Sequence, residues 1–131
     1  MDKYRIIVKG IVKSLDKYLI VEKWFDDRIQ EPYQWGFVDG LIEFGESPDN
    51  AVVRIIEEST GLCTQIDRIL YTWSFMAGDT YTIGISYLCL SGMEDIVLSE
   101  ELHNYKWVER DEFEKYIENQ GILNDIACAD L

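Results

Sequence analysis

The sequence predicts one domain that combines strands with helices, in an α/β or an α+β fold. Several short runs are rich in β-branched and aromatic residues and partly alternate between apolar and polar positions, which is typical of strands. One run in the middle of the chain follows helical periodicity between a clear start and a clear stop. The chain has 131 residues, of which 47% are hydrophobic. This suffices for a single domain spanning residues 1–131.

The first part of the chain predicts a hairpin and a loop. Residues 4–14 and 18–24 are apolar enough for two strands, and Asp16 begins a turn between them. A polar loop follows at 25–32, and an aromatic segment at 33–38 comes after it. We expect the two strands to pair with each other.

The best-punctuated helix is predicted at residues 45–61. Ser47 can act as its N-cap, Pro48 suits its first turn, and Gly61 can adopt the left-handed conformation that ends a helix. At about 100° per residue, the apolar side chains of this helix fall on one arc. They are Ala51, Val52, Ile55 and Ile56.

The second half of the chain predicts three more strands and a terminal helix. A Gly78-Asp79 turn joins the first two of these strands. After the terminal helix, we expect residues 122–131 to add a short turn or a dimer contact. The predicted elements are strands at 64–75 and 81–90, an acidic loop at 91–104, a strand at 105–108 and an amphipathic helix at 111–119.

The composition argues against nucleic-acid binding and indicates the compartment in which the protein works. The formal net charge of −13 is opposite to that of a surface that follows nucleic-acid phosphates, so we expect no nucleic-acid partner. A protein this acidic that handles phosphates needs divalent cations or a local basic patch. No apolar run approaches the ~20 residues of a membrane span, and the N-terminus does not begin a signal peptide. We therefore expect a cytoplasmic protein without a membrane partner, in which Cys63, Cys89 and Cys128 are unpaired thiols.

The stretch GLIEFGESPDNAVVRIIEESTGL, at residues 40–62, carries the most specific motif. It resembles the Nudix box, G-x5-E-x7-R-E-U-x-E-E-x-G-U, where U is an aliphatic residue. Ile55 stands where the pattern has a Glu after the Arg, and Ser59 stands where it has the second Glu of the E-E pair. The positions in register are Gly40, Glu46, Arg54, Ile56, Glu58, Gly61 and Leu62, preceded by WGFVDG at 35–40.

This resemblance implies a more specific fold and a chemistry. The fold is an α/β/α sandwich with a mixed β-sheet, the box helix on one face and the C-terminal helix on the other. The chemistry is the attack of water on a diphosphate linkage, assisted by Mg²⁺ or Mn²⁺. Active members carry acidic side chains at the positions of Ile55, Glu58 and Ser59, on one helix face. Only Glu58 remains here, so a metal site would be weakened.

The resemblance also suggests roles for other residues. Glu58 is the expected metal ligand, Asp39 replaces a glycine whose carbonyl commonly joins the metal shell, and Glu46 usually supports the site from behind. Arg54 is expected to organise the junction of loop and helix, and Glu101, with Glu100 next, is the candidate base or additional ligand.

Three further residues are candidates for substrate binding. Lys23 matches a basic residue that often contacts substrate phosphates in the family, although a solvated lysine is the simpler interpretation of this position. Trp35 and Phe37 could stack on a base or could be core residues of a strand.

Two functional hypotheses remain open at this point. The first is a weak or altered pyrophosphohydrolase of nucleoside diphosphates linked to another moiety. The second is a non-catalytic module that binds a nucleotide or a sugar nucleotide. A structural or dimerisation domain is a third possibility, and homodimers are common among similar proteins.

Overall fold

A computed structural model describes residues 3–24 and 33–131, in which a mixed sheet lies between one long helix and two short ones. This confirms the α/β/α sandwich. The predicted loop at 25–32 lies outside the described residues. The described strands are β1 Lys3–Ser14, β2 Lys17–Lys23, β3 Gln34–Gly36, β4 Val38–Leu41, β5 Thr64–Ala77, β6 Thr80–Ser91 and β7 Leu102–Val108. The described helices are α1 Pro48–Thr60, α2 Phe113–Tyr116 and α3 Gln120–Ala127.

Strand β1 is the centre of the sheet. It runs parallel to β6 and antiparallel to β4, and β6 pairs antiparallel with β5. The predicted hairpin of β1 and β2 is short, because only two residue pairs join them. Strand β2 then diverges to pair with β3 and β7.

The two faces of the sheet carry two separate cores. Val8 and Val12 of β1 belong to the core under α1, whereas Ile11, from the other face of the same strand, belongs to the core under α2 and α3. Because β1 is covered on both faces, apolar residues occur at consecutive positions in it, as in Ile6-Ile7-Val8 and Ile11-Val12, rather than in strict alternation.

Helix α1 has the predicted start, stop and buried face. The Ser47 hydroxyl accepts a hydrogen bond from the Asn50 N–H at 3.2 Å, and Pro48 is in the first turn. Gly61 ends the helix with a φ of 79° and donates its N–H to the Glu57 carbonyl at 2.8 Å. The buried residues include all four of the predicted arc, namely Ala51, Val52, Ile55 and Ile56.

The C-terminal region differs from its prediction. The segment 111–119 forms a 3₁₀ turn and the single-turn helix α2, and the longer helix α3 occupies the region where only a short turn was expected. The reason is a helix break: Ile117 is extended, and the Asn119 side chain caps α3 by accepting the Ile122 N–H at 3.0 Å. Gly121 therefore lies in the first turn of α3.

The structure bears on membrane-spanning helices and on the three cysteines. None of the helices in the described residues is both long and apolar enough to cross a membrane. The cysteines are unpaired, as predicted, with Cys63 and Cys128 exposed and Cys89 buried. Burial in the core raises the pKa of the Cys89 thiol to about 12, so this thiol stays protonated at neutral pH.

Candidate functional site

An open cleft of about 410 Å³ lies between α1, the end of β4 and the segment that precedes β7. It brings together several of the residues that the sequence singled out. The acidic residues that line it are Asp39, Glu58, Glu100 and Glu101, and the others are Gly40, Leu41, Arg54, Ile55, Ser59 and Ser99.

Backbone hydrogen bonds attach the segment before β7 to the end of α1. The Val97 N–H donates to the Thr60 carbonyl at 3.0 Å, and the Ser99 N–H donates to the Ser59 carbonyl at 3.0 Å. These two bonds place the chain that carries Glu101 beside the last turn of α1. Glu58 and Glu101 therefore line the same cleft although they are distant in sequence.

Arg54 connects α1 to the loop that precedes it. Its guanidinium donates to both carboxylate oxygens of Glu46, at 2.7 and 2.9 Å. It also donates to Glu58 at 3.1 Å and to the Leu41 carbonyl at 3.1 Å. The hydrogen bond from Arg54 lowers the pKa of the Glu46 carboxyl, and the same partner raises the pKa of Arg54. Both groups therefore stay charged at neutral pH.

Glu46 does not line the cleft, and its carboxylate accepts hydrogen bonds from Arg54 and from the loop before α1. Its Oε1 also accepts the Glu43 N–H at 3.2 Å. This bond and the Arg54 pair fix the turn before α1. Glu46 was counted with the metal site as a residue that supports it from behind, and in the structure it holds Arg54 and does not line the cleft.

Lys23 and Asp39 form an ion pair at the rim of the cleft. Lys23 Nζ lies 2.8 Å from Asp39 Oδ1, and the two side chains are only 11% and 16% exposed. Lys23 is thus not a solvated lysine, and its ammonium is one hydrogen bond away from a residue of the cleft wall. Asp39, considered as a metal ligand, is neutralised by this pairing.

Comparison with known proteins decides the family. The family model described as NUDIX domain matches residues 3–125. The chain belongs to the NUDIX family. It is 30% identical over 125 residues to nucleoside triphosphatase NudI of Escherichia coli O81 (strain ED1a), covering 87% of this chain and 88% of that relative.

Solved NUDIX structures share the fold at lower identity. A NUDIX hydrolase from Nitrosomonas europaea superimposes with a TM-score of 0.82 at 14% identity, over 96% of this chain and 69% of that chain. The NUDIX domain of Shewanella oneidensis NrtR, complexed with ADP ribose, superimposes with a TM-score of 0.78 at 18% identity, over 97% and 86% of the two chains. At these identities the likeness shows the fold alone.

The two departures from the NUDIX box differ in their surroundings. Ile55 is only 6% exposed and belongs to the core under α1. It packs closely against Gly40, where an added Cβ would lie 3.0 Å from the Ile55 Cδ1. Ser59 is half-buried at the cleft wall. Where the NUDIX box has its first missing Glu, Ile55 is therefore a core residue, and where it has the second, the small side chain of Ser59 lines the cleft.

The carboxylates of the NUDIX cleft are the donor type that hard divalent cations prefer. Glu58 has a side chain that is 64% exposed, and Glu100 and Glu101 are exposed beside it. These three carboxylates line the cleft, but they are not a set whose oxygens all lie within 4.8 Å of one another, so Mg²⁺ or Mn²⁺ held there would need ligand phosphates to complete its coordination.

A tighter acidic cluster lies elsewhere. Among the described residues, Glu109, Asp111 and Glu112 have carboxylate oxygens within 4.8 Å of one another. They surround the start of the 3₁₀ turn, where Glu112 accepts the Glu109 N–H at 2.9 Å in a capping box. Capping the turn accounts for this cluster, which is not part of the NUDIX cleft.

The two aromatic candidates for substrate binding belong to the core. Phe37 is fully buried and packs edge-to-face on Phe113, with ring centroids 5.4 Å apart. Trp35 is half-buried and packs edge-on against Tyr116 at 5.8 Å. Neither lines the cleft. Of the two interpretations left open for Phe37, the structure shows the core residue, because its ring has no exposed face.

A second cavity, of about 250 Å³, was not anticipated from the sequence. It lies on the sheet face that α3 covers, and Lys9, Trp73, Phe75 and Asn119 are among the residues that line it. Lys9 is 2% exposed, and its Nζ lies 4.7 Å from the centroid of the Trp73 ring. A lysine inside the apolar run of β1 was the available signal.

The second cavity and the NUDIX cleft are neighbours. Lys9 and Asp39 are cross-strand partners in the β1–β4 pair, and such partners have Cβ atoms about 5 Å apart. Lys9 lines the cavity and Asp39 lines the cleft.

Proposed function

We propose that this NUDIX protein is a divalent-cation-dependent hydrolase of a diphosphate linkage in a nucleoside triphosphate or in a nucleoside diphosphate joined to another moiety. The observation that carries the proposal is the shared cleft of Glu58 and Glu101. Two backbone hydrogen bonds hold its walls together. The NudI relative, a nucleoside triphosphatase, supports the substrate class.

Each residue of the cleft has a distinct task in this proposal. Glu58 and Glu101 would hold Mg²⁺ or Mn²⁺ together with the substrate phosphates, and the cation would supply neutralisation of phosphate charge and a lowered pKa of the attacking water. Glu100 or Glu101 would accept the proton of that water. Arg54 orients Glu58 through the 3.1 Å hydrogen bond. With fewer carboxylates than the NUDIX box provides, we expect slow turnover.

We assign the part of the substrate beyond the phosphates to the second cavity, where Lys9 is the cross-strand neighbour of Asp39 in the cleft wall. Trp73 and Phe75 provide aromatic surface for a heterocycle, and stacking on such rings contributes on the order of 1–3 kcal/mol per base. Lys9 adds positive charge beside the Lys23–Asp39 ion pair in a protein whose net charge is −13. This local charge offsets the repulsion of a nucleotide.

The first test is turnover over a panel of nucleoside triphosphates, nucleotide sugars, ADP-ribose and dinucleoside polyphosphates, with Mg²⁺ or Mn²⁺. We expect Glu58→Gln to lower kcat/KM by at least ~10–100-fold, the loss seen even for outer partners of metal sites. Glu57→Gln is the matched control, because Glu57 is exposed on the same turn and does not line the cleft. Turnover that survives a chelator, or that falls equally in both variants, would contradict the mechanism.

A second candidate function is nucleotide binding without hydrolysis. The observation that favours it is Ile55, which is built into the core where active members carry a carboxylate. The NrtR domain with bound ADP ribose shows that the same fold accommodates a nucleotide ligand. If this alternative holds, panel members raise the melting temperature of the wild type while no product forms at any cation concentration.

A further inference from the structure

Three aromatic rings contact one another at the surface, beside the end of β2. The ring centroids of Trp24 and Tyr33 are 5.3 Å apart, and the His103 ring lies 4.3 Å from Trp24 and 5.1 Å from Tyr33. Trp24 is 43% exposed and Tyr33 is 48% exposed, and the His103 side chain is 41% exposed. These three residues are called the ring cluster. Exposed aromatic groups of this kind are typical of binding surfaces.

Tyr33 has a backbone conformation that a bulky residue rarely adopts. Its φ is 64°, in the left-handed region that is unfavourable for a residue with a Cβ. The Tyr33 N–H donates to the Lys23 carbonyl at 2.8 Å, and this bond places the Tyr33 ring beside Trp24. Strained backbone is concentrated at functional sites, where the surrounding structure enforces it. Here the strain accompanies the placement of an exposed ring and not of a core residue.

A carboxylate orients the third ring of the cluster. Glu22 Oε1 lies 2.6 Å from His103 Nδ1, and an ionised carboxylate only accepts hydrogen bonds, so Nδ1 is the donor. The Glu22 side chain is only 16% exposed. Its negative charge disfavours a phosphate beside the rings. The ring cluster therefore suits the flat face of an uncharged heterocycle, which binds by stacking.

The ring cluster adjoins the NUDIX cleft on two strands. Trp24 directly follows Lys23, whose ammonium is paired at 2.8 Å with Asp39 of the cleft wall. His103 comes two residues after Glu101, which lines the cleft, and two residues of extended chain span at most about 7 Å. The rings therefore lie at the rim of the cleft.

The ring cluster and the second cavity adjoin the cleft through different strands. Lys23, next to the cluster, is on β2 and pairs across the strands with Leu102 of β7. Lys9, in the second cavity, is on β1 and pairs across the strands with Asp39 of β4. The cleft thus has aromatic side chains near it in two separate places.

We propose that the ring cluster is a stacking site for a second heterocycle of the substrate, so that the protein prefers dinucleoside polyphosphates to nucleoside triphosphates and nucleotide sugars. This inference rests on the proposed function, which assigns the phosphates to the cleft and one heterocycle to the second cavity. The second base stacks on Trp24 or Tyr33, since stacking of this kind tolerates any base. A nucleoside triphosphate has no group for the cluster, and the sugar of a nucleotide sugar has no aromatic face.

The first test uses the wild type alone. His103 is the only histidine of the chain, so in protein without a histidine tag its two carbon-bound ring protons are assigned directly by NMR. We would titrate with a methylene-bridged diadenosine tetraphosphate and with a methylene-bridged ATP, each with Mg²⁺ at constant pH. At saturation we expect the His103 signals to shift with the dinucleoside ligand and to stay near their starting positions with the ATP analogue.

The second test is calorimetric titration of variants with the same two ligands. Trp24→Leu should weaken binding of the dinucleoside ligand by about 5- to 100-fold, as expected for one stacked base, and leave the ATP analogue unaffected. Tyr33→Asn removes the second ring but keeps a residue that tolerates positive φ, and it should have the same selective effect. Tyr4→Leu is the matched control, because Tyr4 is 66% exposed, packs edge-on against Tyr81 and does not line the cleft. Melting temperatures establish that the variants fold.

Several results would overturn the stacking site. They are His103 signals that do not move with the dinucleoside ligand, an equal loss of both ligands in Trp24→Leu, and a wild type that binds neither ligand. A nucleotide sugar that moves the His103 signals as far as the dinucleoside ligand does would overturn the assignment to a heterocycle.

These measurements of binding separate the stacking site from the proposed hydrolysis. Hydrolysis of nucleoside triphosphates together with unchanged binding in Trp24→Leu would overturn the stacking site and leave the proposed function standing. A selective loss in Trp24→Leu without hydrolysis of any ligand would support the stacking site and contradict the hydrolase.

Discussion

Arg54 shows how one side chain determines the geometry of the whole site. Its guanidinium contacts Glu46 in the loop before α1, Glu58 in the cleft and the carbonyl of Leu41 at the end of β4. A planar group with several donors can make these contacts at once, whereas a lysine cannot. The bidentate pair with Glu46 thus orients Glu58 from a residue outside the cleft.

This pair predicts a pH-dependent contribution to stability. The pKa of Glu46 in the folded protein is lowered from its ordinary value of 4.5, mainly by the hydrogen bond from Arg54. A group with a depressed folded pKa contributes stability that is complete above its unfolded pKa and is lost as the pH falls through the folded one. We therefore expect Glu46→Gln to lower the melting temperature most at neutral pH and progressively less below pH 4.5.

Melting curves from neutral to acid pH measure this effect. Glu57→Gln is the control, because Glu57 is exposed and lies outside the contacts of Arg54. It should follow the wild type at every pH. A constant difference between wild type and Glu46→Gln across the whole range would mean that ionisation of Glu46 plays no part.

At the scale of single residues, the sequence indicated the role of a side chain more reliably than the face of the sheet to which the side chain points. The box register anticipated Arg54 as an organiser of the junction. It could not show that Phe37 points into the core, because the composition of an aromatic strand segment is the same whichever face is covered. Lys9 was missed for the converse reason: its burial depends on Trp73, which comes from a strand far away in sequence.

Helix α1 is the element that positions the cleft, and its last turn supports two walls. The carbonyls of Ser59 and Thr60 accept the N–H groups of Ser99 and Val97, so the helix end and the segment before β7 form one unit. Gly61 makes this possible because it turns the chain at a φ of 79° directly after the helix.

We predict that Gly61→Ala costs about 1–2 kcal/mol of unfolding free energy, the penalty of a left-handed conformation for a residue with a Cβ. The cost is conformational, because an added Cβ would meet its nearest neighbour, Val97, only at 3.9 Å. Gly92→Ala is the control, since its site has open space and no positive φ. Urea unfolding of both variants gives the comparison. Equal stability of the two would show that the αL turn is not strained by alanine.

The elements that the sequence predicted well are those with local signals. Ser47, Pro48 and Gly61 mark the ends of α1 independently of the rest of the fold. The C-terminal helices have no such unambiguous end signals. The pattern at 111–119 is amphipathic, which predicts one helix, but Asn119 caps a separate helix eight residues long. The sequence offers two possible helix starts close together, before residue 111 and at Asn119. Packing against the core favours the longer helix at the second start, because Ile122 and Ile126 of α3 are buried.

At the scale of the whole molecule, the excess of carboxylates opposes the ligand that the site is proposed to bind. The net charge is −13, while positive groups near the cleft are few and paired, as with Arg54 and Lys23. Long-range repulsion therefore acts on a polyphosphate until it comes within reach of the local cations.

This balance predicts an unusual response to salt. With Mg²⁺ at saturation, the affinity for a non-hydrolysable nucleotide should increase as NaCl rises from about 10 to 100 mM, because the screening length falls from about 30 to 10 Å. A basic phosphate-binding surface weakens over the same range. Calorimetric titration at several NaCl concentrations measures it, with KCl as a check for ion-specific effects. Affinity that falls with salt would mean that Lys9 and Lys23 dominate over the net charge.

The sheet order could not be predicted from the sequence at this scale. Parallel pairing of β1 with β6 joins residues such as Tyr4 and Tyr81, and no local pattern reports a contact of that sequence separation. Family membership, through the box, provided the architecture that periodicity alone left as α/β or α+β.

The different surroundings of Ile55 and Ser59 make the two lost carboxylates unequally recoverable. At position 59 the backbone carbonyl, not the side chain, anchors Ser99, so a glutamate could return there without disturbing the wall of the cleft. At position 55 a glutamate would replace a core side chain packed on Gly40, and burying its charge would cost several kcal/mol. Rebuilding a full metal site by mutation therefore has an order: position 59 accepts a carboxylate in the present structure, and position 55 accepts one only after the core around it has been changed.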